Sequence, residues 1–341
     1  MKELKDFLKR VPAGLWLIVL ISFVIICAIP ALFSQISWFF DFSQTGQIGD
    51  TIGGTMGPFI AIIAALLTFI AFWAQYEANQ ELVDENRRNH FENRFYKMLD
   101  IHLDSVEKLK TLDPSKPGSV FQKWCDNILN LYNLLMMDAD TNDTLSTMME
   151  KYKGDPQKDE LLAFIRGLKS SKSELQNVMF EIAYCLFYSG SFSNLHYGDE
   201  AKSIIVREFA SLFILSSPNN KDYDLPQKNE ILGRYYRHLY QIVKYVDEKD
   251  EKLFVEANWK ESYISLLRSQ MSDYEQALLF YNAMSSIGSA WNENNYISKY
   301  KLIKNIPHSF IFSSAGISPY VKYEDALKEA EAKGEKFFEW L

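Results

Sequence analysis

The segment from Gly233 to Tyr245 has the residue types best suited to chemistry, because it places arginines and a histidine together on a predicted helix. Arg234 and His238 lie one turn apart on the flank of that helix. A guanidinium beside an imidazole could bind an anion or stabilise a phosphoryl oxygen. The alternative is structural: Arg234 pairs with a carboxylate, and both side chains link neighbouring helices.

A second predicted helix, over residues 262–287, carries Arg268 and Glu275 two turns apart. Together with Arg234 they could form a buried ion-pair network between the two helices, and this structural network is the expected arrangement. A ligand pocket is the alternative. The candidate ligand or ion-pair cluster therefore comprises Arg234, Arg237, His238, Arg268 and Glu275. We assign a catalytic role to none of these residues.

Motifs that define common enzymes are absent. The chain has no GxxxxGK[ST], GxGxxG, HExxH or GxSxG segment. No two histidines share a metal-ligand spacing and none of Cys27, Cys125 and Cys185 lies in a CxxC pair, so we expect no metal, no cofactor and free thiols. The Arg–His spacing also departs from that of helical ribonucleases. The sequence leaves an enzymatic activity open and favours its absence.

The net charge of the chain is −8, and residues 77–341 alone carry that charge. Sequence-independent affinity for nucleic acid comes from lysine and arginine at phosphates. We therefore expect no general nucleic-acid binding.

Apolar residues at spacings of three and four predict helices along most of the chain. Phe91, Phe95, Met98 and His102 form one such stripe on a juxtamembrane helix over 77–110, and His102 is expected to make core contacts. Further helices are expected over 120–137, 159–188, 199–216, 229–246, 262–287 and 323–341, with a polar connection over 141–156. Residues 308–312 could form a short strand, but sustained alternation is absent, so the predicted fold class is all-α.

Two uncharged apolar runs near the N-terminus, residues 13–33 and 56–74, are long enough to cross a bilayer. They predict a two-helix transmembrane hairpin followed by a multi-helix cytoplasmic domain. The expected boundaries are a basic tail 1–12, helix 13–33, external loop 34–51, helix 52–76, juxtamembrane helix 77–110 and cytoplasmic domain 111–341.

Flanking charge predicts the orientation of this hairpin. Residues 1–12 carry four basic side chains, and Arg87, Arg88, Arg94 and Lys97 follow the second run, whereas residues 34–51 contain no lysine or arginine. Positive charge remains inside. Both termini are therefore expected in the cytoplasm.

Small residues recur every four positions in the second run, at Gly53, Gly57, Ala61 and Ala65. Such a face allows another helix to approach closely. If Pro58 is the first helical residue, Gly53 belongs to the loop and the face shortens. The partner is either the first predicted span or a second copy of the chain, and we expect a homo-oligomer.

Several segments resemble the phage abortive infection proteins of bacteria, in the type with two transmembrane helices. The resemblance rests on the segments 91–102, 236–245 and 300–307, and on Leu267-Arg-Ser-Gln-Met-Ser272 with Glu275 and Leu279-Phe-Tyr-Asn282. It covers most of the chain and implies a role in antiviral defence. The family brings no established catalytic residue.

These observations predict a membrane-anchored effector or sensor of antiphage defence that acts by binding and membrane perturbation. Its expected partners are the lipid bilayer, further copies of itself, and a phage-derived or host protein as the trigger. The alternatives are a membrane-tethered, nuclease-like enzyme with an Arg/His site, and a membrane scaffold or sensor that works with a partner gene product.

Overall fold

The computed structural model describes residues 14, 17, 20, 21, 23, 24 and 28, and the ranges 45–111, 119–141, 144–154, 158–192, 195–216, 228–306 and 319–339. All regular secondary structure in these residues is helical, which confirms the predicted all-α fold class. The chain divides into two compact units, Met1–His90 and Phe91–Leu341.

The first unit contains the beginning of helix α1, Thr45–Lys110. Large apolar side chains between residues 56 and 76 are exposed: Phe72, for example, is 65% exposed. Among the described residues, α1 is the one helix that is long and apolar enough to cross a membrane, by length and composition. Seven separate residues of the predicted span 13–33 are described and are helical, but the rest of the span lies outside the described residues, so the hairpin stays a prediction.

Helix α1 begins earlier than the sequence predicted. Residues 45–51, assigned to the external loop, are helical, and Pro58 lies inside the helix instead of at its start. Gly53 is therefore helical, and the face formed by Gly53, Gly57, Ala61 and Ala65 keeps its full length. A proline costs one backbone hydrogen bond, and the flanking turns of α1 remain helical despite that loss.

The second unit packs further helices around an aromatic and aliphatic core. They are α2, Ser119–Thr141; α3, Thr144–Tyr152; α4, Asp159–Ser170; α5, Lys172–Ser189; α6, Glu200–Ser216; α7, Asn229–Asp247; α8, Trp259–Ser269; α9, Asp273–Met284; α10, Ala290–Glu293; α11, Tyr296–Tyr300; and α12, Pro319–Ala332.

Helices α5 and α9 form the centre of this unit. Both pack against α2, and α5 also contacts α4, α6 and α7. Nine of the twelve residues of α9 are buried. Apolar residues on every side of α9 are typical of a helix that its neighbours enclose. Helix α7, by contrast, has a single apolar face and carries polar residues on its flanks.

Serine side chains break two helices that the sequence predicted as continuous. The predicted helix 159–188 divides at Ser171, whose hydroxyl accepts a hydrogen bond from the amide of Glu174 at 3.3 Å. The predicted helix 262–287 divides at Ser272, which begins α9 with a reciprocal capping box to Glu275. Side-chain oxygens satisfy the first amides of a new helix, and apolar periodicity alone does not detect that break.

Other differences lie in the connections. The polar connection predicted over 141–156 contains α3, because Leu145 and Met148 are buried. The C-terminal helix ends at Ala332, close to Gly334 with φ of 69°, and not at residue 341. The predicted strand 308–312 lies outside the described residues.

A substitution at Gly288 tests how closely the chain packs after α9. A Cβ atom at this position would lie 2.2 Å from the backbone carbonyl oxygen of Asn282, and a backbone atom cannot move aside easily. We expect Gly288→Ala to lower the free energy of unfolding by about 1–3 kcal/mol, the usual cost of overpacking. Chemical denaturation followed by helical circular dichroism measures it.

The control is Gly167→Ala, since its Cβ would make an ordinary contact of 3.5 Å with the Glu174 side chain inside a helix. It should stabilise the protein by up to about 1 kcal/mol. Equal effects from both substitutions would contradict the close approach at Gly288.

Candidate functional site

Helix α7 presents its charged residues on two different flanks. Its buried face includes Tyr235, Leu239 and Ile242, which fix the rotation of the helix in the core. Arg234 and Arg237 are exposed, and His238 is half-buried. Arg237 faces a cleft with Gly233 and Tyr240, and Arg234 does not line it.

The expected ion-pair network between Arg234, Arg268 and Glu275 is not formed among the described residues. The Arg268 guanidinium donates to the carbonyl oxygens of Tyr300 at 3.2 Å and Lys301 at 3.1 Å, so it caps the end of α11. The Glu275 carboxylate accepts from the amide of Ser272 at 2.9 Å and from its hydroxyl at 2.7 Å. Glu275 is therefore engaged in the local cap of α9, and Arg268 in a tertiary contact with the end of α11.

Glu275 also lies in a buried polar cluster that includes Tyr235 and His102. The rings of His102 and Tyr235 are 5.2 Å apart. Within the described part of the chain, the Tyr235 hydroxyl and the Nδ1 atom of His102 have no hydrogen-bond partner. Burial, and then the neighbouring Glu275 charge, raise the pKa of Tyr235. All three side chains are sealed in the core, which fits the predicted core role of His102 and not a role in contacting substrate.

The Arg237 cleft is the candidate functional site. Its volume is about 240 Å³. The lining residues are Tyr188, Gly233, Tyr236, Arg237, Tyr240, Gln241, Asn282, Ile287, Gly288, Ala290 and Trp291. Among the described residues the Arg237 guanidinium forms no hydrogen bond or ion pair, so its five N–H donors are available to a ligand.

The inner wall of the cleft is held rigid by a hydrogen-bonded network. The Asn282 amide donates to the Tyr184 hydroxyl at 2.9 Å and accepts from the Trp291 indole N–H at 3.1 Å. The Tyr236 hydroxyl donates to the carbonyl of Leu278 at 3.0 Å. Because these polar atoms are satisfied internally, they are not free to bind a ligand, and Arg237 supplies the charge of the cleft.

Gly233 allows the Tyr188 side chain to approach this wall. A Cβ atom there would lie 2.8 Å from the Tyr188 hydroxyl, which reaches the cleft from α5. Tyr240 packs edge-on against Trp291, with ring centroids 5.2 Å apart. An anionic group attached to a planar or apolar group, such as an acidic side chain beside an aromatic one, fits a guanidinium next to aromatic faces.

Sequence analysis nominated Arg237 but missed its neighbours in the cleft. Gly233, Tyr236, Arg237 and Tyr240 recur at helical spacing, which could have indicated one shared flank of α7. Tyr188, Asn282 and Trp291 come from distant segments, and their types and spacing carry no signal for this cleft. The described residues also contain no group of three His, Cys, Asp or Glu side chains placed to hold a metal ion.

The small-residue face of α1 is exposed within the described structure. Gly53, Gly57, Ala61 and Ala65 are all exposed. A Cβ atom added at Gly53 or Gly57 would meet nothing within 4 Å. The face is thus available to another helix.

Comparison with known proteins places this cleft in a recognised segment. Residues 227–311 match the family model described as "Putative phage abortive infection protein", which confirms the resemblance predicted from the sequence. No curated protein and no solved structure matches the chain. The matched segment contains Arg237, Asn282 and Trp291, and the match supports a role in antiphage defence.

His102 should make stability depend on pH. Burial, followed by the charge of His238, lowers the pKa of His102 to about 4 from 6.5. Between these values the unfolded chain binds the proton and the folded chain does not, so stability falls as pH decreases from about 6.5 to 4. Over that range the free energy of unfolding should fall by about 3 kcal/mol. In urea titrations at several pH values, His102→Leu should remove this dependence on pH.

The exposed His196→Leu is the control for loss of an imidazole. Glu275 has the opposite effect on stability. Burial raises its pKa in the folded protein, so the protein loses stability as pH rises and this carboxyl ionises. It is present in all three proteins, so it cancels in the comparison. Equal pH slopes for His102→Leu and His196→Leu would contradict the assignment.

Proposed function

We propose that this protein is a membrane-anchored effector or sensor of bacterial antiphage defence, acting by binding and membrane perturbation rather than catalysis. The observation that carries the proposal is the exposed apolar part of α1, residues 56–76, in a chain that also bears the family segment 227–311. Exposed apolar surface of that length is costly in water and stable in a bilayer.

The proposed arrangement is a transmembrane hairpin of helices 13–33 and 52–76 in the inner membrane, with both termini in the cytoplasm. Its support is the flanking charge, since residues 34–51, between the two apolar runs, contain Asp41 and Asp50 and no basic residue. The cytoplasmic domain then meets its trigger inside the infected cell.

The Arg237 cleft is the proposed contact for that trigger, a phage-derived or host protein. An unpaired guanidinium beside aromatic faces is a common anchor in protein interfaces. The trigger can act only by binding one of two states of the protein more tightly than the other. The favoured state changes the packing of the membrane helices and makes the membrane permeable.

Two helices from one chain enclose no pore, so permeability requires several copies. The proposed homo-oligomer uses the face of Gly53, Gly57, Ala61 and Ala65, because close packing drives helix association in lipid. The exposure of these four residues in the described structure supports this assignment.

Arg237→Ala tests the trigger contact. We expect phage-infected cells that carry the wild-type gene to lose membrane potential, measured with a potential-sensitive dye, before the phage matures. Arg237→Ala should abolish most of that loss and of the protection, since the cleft retains its shape without its charge. Aborted infection with unchanged polarisation in wild-type cells would contradict the permeability mechanism.

The matched control is Arg234→Ala, an exposed arginine on the same helix outside the cleft. We expect it to protect like the wild type. If Arg234→Ala and His238→Ala each abolish protection in folded protein while Arg237→Ala does not, the Arg/His alternative replaces the present proposal. Protection by this single gene in a naive host would argue against an obligate partner gene product.

The oligomer is tested by mass. In a mild detergent, light scattering of the intact protein should give a multiple of the 39.6 kDa chain mass. A monomer mass at concentrations well above cellular levels would rule out the homo-oligomer.

A further inference from the structure

A second cavity in the Phe91–Leu341 unit has a chemistry opposite to that of the Arg237 cleft. Phe254, Trp259 and Tyr263, with Glu92 and Tyr96 of α1, line a volume of about 390 Å³ that we name the Trp259 pocket. Glu256 is also part of its lining. The pocket combines aromatic walls with carboxylates and has no basic residue in its lining.

Three rings of its lining pack against one another at different angles. The centroids of Phe254 and Trp259 are 4.9 Å apart, and those of Phe254 and Tyr263 are 5.6 Å apart. Trp259 and Tyr263 are nearly perpendicular, with centroids 6.0 Å apart. Phe91 contacts all three rings from the core, so their positions are held by packing. Ring faces around a cavity carry partial negative charge and attract cations.

The carboxylates of the pocket lack a cationic partner in the described structure. The Glu92 Oε1 atom accepts a hydrogen bond from the Tyr263 hydroxyl at 2.7 Å, and Glu92 forms no ion pair. Burial, and then Glu92, raise the pKa of Tyr263, so its hydroxyl stays a donor. Glu256 is exposed at the rim, likewise without an ion pair among the described residues.

Lys260, beside the Trp259 ring, already has partners of its own. The Lys260 Nζ atom, 5.7 Å from the Trp259 ring centroid, is 2.7 Å from the Glu251 carboxylate and donates to the carbonyl of Asp247 at 2.8 Å. Its charge is therefore compensated by Glu251 and by the Asp247 carbonyl, and Lys260 forms no ion pair with Glu92 or Glu256.

We propose that the Trp259 pocket binds a small organic cation of the alkylammonium class, with its alkyl groups against the half-buried rings of Phe254 and Tyr263 and its charge beside Glu92 and Glu256. Alkyl substituents weaken hydration of the cation and fill the aromatic walls. This site is separate from the Arg237 cleft, and its ligand does not depend on the proposed defence mechanism.

Choline and its neutral carbon isostere, 3,3-dimethylbutan-1-ol, are the probes. Titration calorimetry uses the full chain in a maltoside detergent, which carries no ammonium headgroup. We expect choline to bind and the isostere to bind at least about tenfold more weakly, since only choline carries the charge. Glu256→Gln should weaken choline binding by several-fold, and Glu92→Gln should do the same.

The control is Glu107→Gln, an exposed carboxylate on α1 outside the pocket, which should leave the affinity unchanged. Nanodiscs with and without phosphatidylcholine then separate the sources of the cation. Weaker apparent binding of free choline in the presence of that lipid identifies a headgroup, and unchanged binding identifies a free amine. Equal binding of choline and its isostere, or equal binding by wild type and both pocket variants, overturns the proposal.

Discussion

Burial of helix α9 on every side is the constraint on which much of the second unit depends. Its buried polar side chains, Glu275, Gln276 and Asn282, cannot reach water, so each must find a partner inside the protein. Glu275 accepts from Ser272, and Gln276 accepts from the amide of Asn305 at 3.0 Å. Asn282 joins Tyr184 to Trp291. These bonds fix where the chain turns before α9 and where it passes afterwards.

The Arg237 cleft is a consequence of that constraint. The hydrogen bond between the Trp291 indole and Asn282 holds the segment after α9 against α7. Gly288, which has no side chain, lets the backbone of this segment approach Asn282 closely. The cleft wall is then aromatic and internally satisfied, with a single unpaired guanidinium among the described lining residues. Arg268 is not available to a ligand in the same way as Arg237, because its guanidinium donates hydrogen bonds to the carbonyls at the end of α11.

Phe91 has a comparable role at the start of the second unit. It stacks on Tyr245 with centroids 5.4 Å apart and meets Trp259 and Tyr263 edge-on. These contacts join α1 to α7 and α8 through aromatic surface, which leaves little freedom for the rings that form the Trp259 pocket. The two cavities therefore differ in charge but share a rigid aromatic construction, with opposite charges at their rims.

The sequence by itself determined the all-α class, the apolar length of α1, the amphipathic faces of α1 and α7, and the family resemblance, because these depend on local composition and periodicity. It also identified Arg237 as a candidate. The Ser-x-x-Glu pattern at 171–174 and 272–275 also carried a signal for two helix starts, which apolar periodicity overlooked. Only the tertiary structure decided that Arg268 caps the end of α11, a distant segment. The tertiary structure also placed Tyr188, Asn282 and Trp291 beside Arg237. Contacts between such distant segments depend on how buried helices satisfy one another's polar atoms. No spacing along the chain encodes that geometry.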